Sequence, residues 1–306
     1  MALTYGELAA ITQKNYIPKL VDNIFNSNAL LQRWRKKNYK SESGGTTLMQ
    51  PLLYATTTAT GTYSGTDTLD TSANDQITSA EFSRAHYYAN VTIAHTDELQ
   101  NSGDAQVIDF VRAKVQAAEM SLADKMGTDL FGTYTDTKGL AGIGIAVDSA
   151  GTYGGISRTT SSWWASDEDS TTTVLTMAAL QAGYGDVTVG NDKPSVGVTT
   201  QDIYDSYMNL LTPLQRFVDD DTARGGYTNI LFNGMPLVVD SHATSSTLWM
   251  LNEKYINLYY HPKDNFRFSP FVKPADQEVV TGKVLWAGQL CCSNCRMQAK
   301  FSALTS

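Results

Sequence analysis

Residues 104–131 read DAQVIDFVRAKVQAAEMSLADKMGTDLF. Val107, Val111, Val115, Leu122 and Met126 recur there at helical spacing, and Ala118 fills the gap between Val115 and Leu122. Asn101-Ser102-Gly103-Asp104 supplies turn and N-cap residues just before the pattern begins. The stretch predicts one helix from Asp104 to Phe131, about 40 Å long at roughly 1.5 Å per residue. Its alanine-rich centre favours close packing by a neighbouring element.

On the N-terminal side the pattern changes to strands. Thr46–Leu53 reads as extended, with Pro51 placed where only an edge or irregular strand tolerates it. Phe82–Ala94 reads as a second strand, with Tyr88, Val91 and Ile93 as β-formers. Between them, Ala55–Ser79 holds nine Thr, with Tyr63, Leu69 and Ile77 as its bulky apolar residues, too few for a core of its own. Two extended segments around a long polar tip predict a protruding two-stranded arm, because a structureless loop of that length is unusual inside a compact domain.

The first forty residues read as a separate arm. Apolar residues are scattered along it, Pro18 interrupts any long helix, and there is too little chain to bury them without another surface. Seven basic groups against Glu7 and Asp22 give this arm +5, so the remainder carries −13 of the net −8. An acidic body argues against a dedicated nucleic-acid binder. The strip Arg33, Arg35, Lys36, Lys37 suits nucleic acid, an acidic neighbouring subunit or plain solvent. The opening Met-Ala-Leu-Thr-Tyr-Gly-Glu lacks a basic n-region followed by an apolar stretch, and no apolar run approaches transmembrane length. Maturation in the cytoplasm is the expectation, with no membrane partner.

Past the long helix, Gly139–Gly155 is Gly-rich and irregular. Thr173–Tyr184 and Gln201–Leu211 read as helices, and Pro194–Thr199, Met235–Val239, Thr247–Leu251 and Tyr255–Tyr260 as strands. Phe266–Val272 and Val280–Phe301 return to β. The class is α+β.

Motifs for chemistry are weak. Gly142-Ile143-Gly144 has Val147 where a dinucleotide loop needs its third Gly, so a tight turn is expected. His86, His95, His242 and His261 sit in no recognisable motif. Asp167-Glu168-Asp169 and Asp219-Asp220-Asp221 are consecutive carboxylates that point apart, and read as solvated loops rather than cation sites. Cys291, Cys292 and Cys295 lie on what reads as a strand, with Cys295, Met297, Ala299 and Phe301 facing in and Asn294, Arg296, Gln298 and Lys300 facing out. Strand spacing puts Cys291 and Cys295 about 13 Å apart and Cys292 on the opposite, wetter side. They are expected to be core thiols and not zinc ligands. No catalytic, cofactor or metal site is predicted, and an enzyme whose site is assembled from distant residues is the alternative from another class.

The order of these features resembles the tailed-bacteriophage major capsid proteins of the Hong Kong 97 phage type. The most family-like stretches are Tyr63-Ser64-Gly65-Thr66-Asp67-Thr68-Leu69-Asp70, Ala118-Glu119-Met120-Ser121-Leu122, Lys138-Gly139-Leu140 and Ser162-Trp163-Trp164. Phe232-Asn233-Gly234-Met235-Pro236-Leu237-Val238-Val239-Asp240 and Gly288-Gln289-Leu290 complete the match. The resemblance implies an N-terminal arm (1–38), an extended loop embracing a neighbouring subunit (39–84), a peripheral domain (85–138 and 262–306) with spine helix 104–131, and an axial domain (139–261). It implies a structural protein with no enzymatic role, self-assembling as pentamers and hexamers into an icosahedral virion shell around packaged double-stranded DNA. Portal, scaffolding and decoration proteins are further implied partners, and Tyr63, Leu69 and Ile77 are the expected inter-subunit contacts. A bacterial encapsulating nanocompartment is the alternative within the same fold. Two departures matter. From Ser41 to Ser83 there is no Lys or Arg, so the loop-lysine crosslink of some members is unavailable, and no helical scaffolding segment is expected ahead of the arm.

Overall fold

The computed structural model describes residues 28–100, 104–133, 138–211 and 231–305. Residues 1–27, the expected cap Asn101-Ser102-Gly103 and the acidic run Asp219-Asp220-Asp221 lie outside the described residues. Helix α1 (Ala29–Lys37) leads into β1 (Tyr39–Ser41), the hairpin β2 (Thr47–Leu53) and β3 (Ile77–Ser83), and then β4 (Ala85–Ala94). The short α2 (His95–Gln100) precedes α3 (Asp104–Phe131), whose bounds are those its periodicity predicts. Next come α4 (Ile143–Ala146), β5 (Thr152–Tyr153), β6 (Ile156–Ser157), β7 (Asp167–Asp169), α5 (Met177–Asp186), β8 (Val196–Thr199) and α6 (Gln201–Leu211). The chain continues through β9 (Leu231–Phe232), β10 (Met235–Val239), β11 (Leu248–Leu251), β12 (Ile256–Tyr260), β13 (Arg267–Val272), β14 (Val279–Cys292) and β15 (Ala299–Phe301).

Two sheets organise the molecule. In the first, β14 is the hub: β4 pairs along Val279–Gly288, β13 along Thr281–Leu285, and β12 along Gly288–Cys292, with β1 added parallel to β12. β4 alternates strictly, burying Ala85, Tyr87, Ala89, Val91 and Ile93. They share one core with Val111, Val115, Leu122, Met126 and Leu130, the apolar stripe of α3. Each large side chain in that stripe contributes about 1.5–3 kcal/mol by burial. The second sheet runs β7-β15-β11-β8-β10-β9 and shares its own core with α5 and α6, through Leu180, Ile203, Tyr207, Phe232, Met250 and Phe301.

Sheet membership differs from the expected domain limits in two places. β12 lies before the expected boundary at 262, yet it pairs with β14 in the first sheet, whereas β15, in the returning tail, joins the second. The described end of the arm also packs on its own subunit: Leu30, Leu31 and Trp34 of α1 are buried in the first core, and Asn28 caps the helix through Leu31 N–H at 2.9 Å.

Other corrections are local. The strand expected over Phe82–Ala94 is divided at Arg84, and the helix expected over Thr173–Tyr184 begins later, capped by Thr176. Gly142 is the N-cap of α4 and not merely a turn: a Cβ there would lie 2.2 Å from the Leu130 carbonyl oxygen, so glycine permits α4 to approach the end of α3. Asp167-Glu168-Asp169 is no loop but the edge strand β7, parallel to β15. Lys300 Nζ stands 2.9 Å from Glu168 Oε1 and 3.2 Å from Asp148 Oδ2, which offsets the charge of that edge.

The tail is not one strand. A single 3₁₀ turn, Cys295–Met297, separates β14 from β15 and breaks the alternation. Gln298 and Lys300, expected to face out, are buried; Gln298 Oε1 accepts from Asn252 N at 2.8 Å. Cys292, expected on the wetter face, is fully buried, as are Cys291 and Cys295, and all three are free thiols.

Candidate functional site: an assembly surface on the extended loop

The hairpin β2–β3 pairs in register from Thr47↔Ser83 to Leu53↔Ile77. Its period of two sends Leu48, Leu52, Ala80 and Phe82 to a buried face and Met49, Pro51, Leu53 and Ile77 to the other. The buried face fixes the root. Phe82 packs on Tyr153 at 4.9 Å between ring centroids, and Tyr54 stacks on Trp163 at 5.1 Å. Buried Gln289 donates to the Ser83 carbonyl at 2.7 Å and accepts from Ala141 N at 2.8 Å, tying the root to the segment after α3. Arg84 donates to the carbonyls of Glu42 and Gly44 and so clamps the incoming strand against the outgoing one.

Beyond the last rung, Tyr54 N–H to Gln76 O at 3.0 Å, the tip has no regular structure. It is shaped by short-range turns: Asp67 Oδ2 accepts from Ser64 N at 2.8 Å, and Asp70 Oδ1 from Ser72 N at 2.9 Å. The Ser72 hydroxyl and amide hold the Asp70 carboxyl below its usual range. With Asp67, Asp70 and Asp75 and no basic residue, the tip is acidic.

The outer face and tip leave large apolar side chains in solvent: Tyr63 is 70% exposed, Leu69 59% and Ile77 73%, joined by Met49 at 59% and Leu53 at 73%. Sequence reasoning singled out the first three and missed Met49 and Leu53. The signal was present in Thr-Leu-Met-Gln-Pro-Leu-Leu, where apolar residues fall on both parities of one strand. A strand that is apolar on both faces is covered on both faces, or exposes a patch of the kind that marks an interaction site.

The basic strip is divided by its helix. Arg33 turns inward: its Nε lies 2.5 Å from Glu253 Oε1 and its Nη2 2.8 Å from Oε2, with Ser195 Oγ also donating to Oε2 at 3.0 Å. The buried Glu253 carboxylate raises the Arg33 pKa. Arg35, Lys36 and Lys37 are exposed at the C-terminal end of α1, where positive charge complements the helix dipole.

Among the described residues no group of three or more His, Cys, Asp or Glu is placed to hold a metal ion. His242 comes to the spine helix, its Nε2 3.2 Å from Asp124 Oδ1, while its backbone N–H donates to buried Asp240 at 3.0 Å. Asp240 also accepts from the Asn28 side chain at 3.3 Å, so this polar cluster joins α1, α3 and the end of β10. The groove between β4 and α3 is lined by Tyr88, Lys114, Ala117, Ser121 and Lys125. Lys125 pairs with Asp129 at 2.7 Å. No described helix is long and apolar enough to cross a membrane.

No protein-family model matches the sequence, and no curated protein does either. Solved structures do. The capsid of cyanophage A-1(L) is similar with a TM-score of 0.66 at 16% identity, over 88% of this chain and 91% of that one. Mycobacterium phage Bobi matches over 100% of both chains with a TM-score of 0.57 and 9% identity. The SrpI encapsulin of Synechococcus elongatus PCC 7942 matches over 99% of this chain and 96% of its own, with a TM-score of 0.58 and 11% identity. The architecture is therefore the Hong Kong 97-type capsid fold, with its hairpin arm, spine helix and two sheets, at 9–16% identity to these structures.

Proposed function

We propose that this chain, built on the Hong Kong 97-type capsid fold, is a major capsid protein that assembles through itself, as pentamers and hexamers, into an icosahedral virion shell around packaged double-stranded DNA. The observation that carries the proposal is the extended loop. Its root is locked to its own subunit by Gln289, Arg84, Tyr153 and Trp163, yet its tip and outer face hold Tyr63, Leu69, Ile77, Met49 and Leu53 in solvent. A rigid root with an apolar, self-uncovered projection suits a neighbouring copy as the partner, and repetition of that contact generates a closed shell. The exposed Arg35, Lys36 and Lys37 are assigned to an acidic neighbour or the packaged DNA, while Arg33 is assigned to the subunit itself. Portal, scaffolding and decoration proteins are the further partners of such a shell, assembled in a host cytoplasm. The role is structural, with no catalytic step.

The second reading keeps the shell and changes the cargo: a nanocompartment, favoured by the similarity to an encapsulin over nearly the full length of both chains. Negative-stain electron microscopy of the purified protein tests the shell. Extraction of nuclease-protected DNA from native particles tests the cargo. Closed particles enclosing double-stranded DNA are expected; closed particles enclosing protein and no DNA would select the second reading, and a monodisperse monomer under all assembly conditions would reject both.

A further inference from the structure

β4 pairs with β14 along its full length, and its other edge is bare. His95 N–H donates to the Glu278 carbonyl at 3.1 Å, in register with that pairing, so the odd-numbered residues of β4 direct their main-chain groups to β14. The even-numbered residues point the other way, and the first of them agrees: His86 N–H donates to the Lys138 carbonyl at 3.2 Å. Beyond it, the N–H and C=O groups of Tyr88, Asn90 and Thr92 meet no strand among the described residues. They open onto the groove beside α3, about 430 Å³ in volume, along which Tyr88–Thr92 and Lys114–Lys125 run side by side. Ala118, Ser121 and Leu122 line the helix side, and Tyr88 stands 71% exposed on the strand side. Lys114 and Lys125 are the charged residues of the lining, which holds no carboxylate. An unpaired strand edge beside a floor of small and apolar side chains is a template for one more strand.

We propose that the extended loop of a second copy supplies that strand through its residues 66–71, an inference that rests on the proposed shell function and names the surface that receives the loop. Thr66-Asp67-Thr68-Leu69-Asp70-Thr71 lies between the turn that Asp67 closes on Ser64 and the turn that Asp70 closes on Ser72. Its threonines and leucine suit an extended strand, yet it belongs to no sheet of its own subunit. Charge selects it. The loop has no basic residue from Ser41 to Ser83 and carries Asp67, Asp70 and Asp75 at its tip, whereas the groove is lined by two lysines. Spacing agrees. Leu69, 59% exposed in its own subunit, is placed over Ala118 and Leu122. Asp67, two residues away on the same face, lies about 7 Å along the strand. Lys114 and Lys125 are eleven residues apart, about 16 Å along α3, so each stands about 8 Å from the middle of the floor. Asp67 therefore meets Lys114 in one strand direction and Lys125 in the other. In the free subunit Lys125 holds Asp129, one helical turn away, and its side chain is more than half exposed. Docking gives main-chain partners to the loop tip and to the β4 edge at once.

The test uses full-length chains carrying Leu69→Cys, Ser121→Cys or both, assembled and treated with a short bis-maleimide crosslinker. The three native thiols are buried and form a silent background. A ladder of linked chains on a denaturing gel is expected from the double variant, and no linked chains from either single variant. Closed shells without a ladder would overturn the docking and leave the shell function standing, whereas a wild-type chain that stays monomeric under all assembly conditions would remove both. Linked chains from Ser121→Cys alone would put a second α3 at the groove, and from Leu69→Cys alone would pair tip with tip; either overturns the docking. Asn90→Pro removes one outward N–H and no hydrogen bond to β14. The subunit should keep its fold by circular dichroism, while the concentration needed for particles rises about tenfold or more. Wild-type assembly by the folded variant would remove the strand edge from the contact, and the crosslink decides the docking even if that variant does not fold. Asp67→Lys should raise the required concentration about tenfold, and Lys114→Asp or Lys125→Asp in the same chain should restore it. Restoration by neither would overturn the charge pairing.

Discussion

Replacing Tyr63, Leu69 and Ile77 together by Ser separates a loop that serves its own subunit from one that serves a neighbour. Each of these side chains keeps roughly two-thirds of its surface in water in the single subunit. Full burial of a side chain of this size is worth about 1.5–3 kcal/mol, so each has about 1–2 kcal/mol still to contribute at an inter-subunit contact, or about 3–6 kcal/mol for three. At roughly 1.4 kcal/mol per tenfold, the variant should need about a 10²- to 10⁴-fold higher subunit concentration to form the same contact. The subunit itself should change by no more than about 0.5 kcal/mol, the usual range for exposed sites. Thermal melts followed by circular dichroism measure the second quantity. Light scattering against concentration, with electron microscopy of the products, measures the first. Particles forming at the wild-type concentration would refute the inter-subunit role, and a melting temperature lowered by many degrees would place these residues in the subunit's own core.

Shortening the loop by replacing residues 56–76 with a Gly-Ser turn should leave a folded, soluble subunit that forms no closed shells, by the same two measurements. Gly142→Ala should destabilise the subunit by about 1–3 kcal/mol or more in a denaturant titration, because the added methyl would meet the Leu130 carbonyl at 2.2 Å. Arg33→Gln should lower subunit stability by about 1–3 kcal/mol, since it leaves the buried Glu253 carboxylate without its charged donor. Lys36→Gln with Lys37→Gln should spare the subunit and change only how particle stability responds to salt. The Thr172 hydroxyl and the Thr172 and Thr171 amides hold the Asp169 carboxyl far below its usual range. A depressed carboxyl contributes stability above its unfolded pKa, about 4, and loses it as pH falls through the folded value. Melts between neutral and strongly acidic pH should show the wild type losing stability below about pH 4, and Asp169→Asn losing less.

The residues themselves determined whatever depends on near neighbours. Val111, Val115, Leu122 and Met126 mark one helix face because burial repeats every turn, and α3 has the bounds that this repeat implies. The Thr-rich tip announced its exposure because it holds too few apolar side chains to cover itself. Even the missed Met49 and Leu53 were legible as the second apolar parity of a strand. What the tertiary structure alone decided depends on residues far apart in the chain. β7 is a strand because β15, some 130 residues later, lies beside it, and its carboxylates are tolerated because Lys300 arrives with that strand. Arg33 left the basic strip because Glu253 stands 220 positions away in sequence and 2.5 Å away in space. Gln298 is buried because a 3₁₀ turn rotates the chain between two sheets and ends the strand alternation, and Cys292 because β14 is covered on both faces from Trp286 to Cys292. Periodicity records which side of an element is covered, and only the packed chain records by what, because pairing energy between distant segments leaves no local trace in either of them.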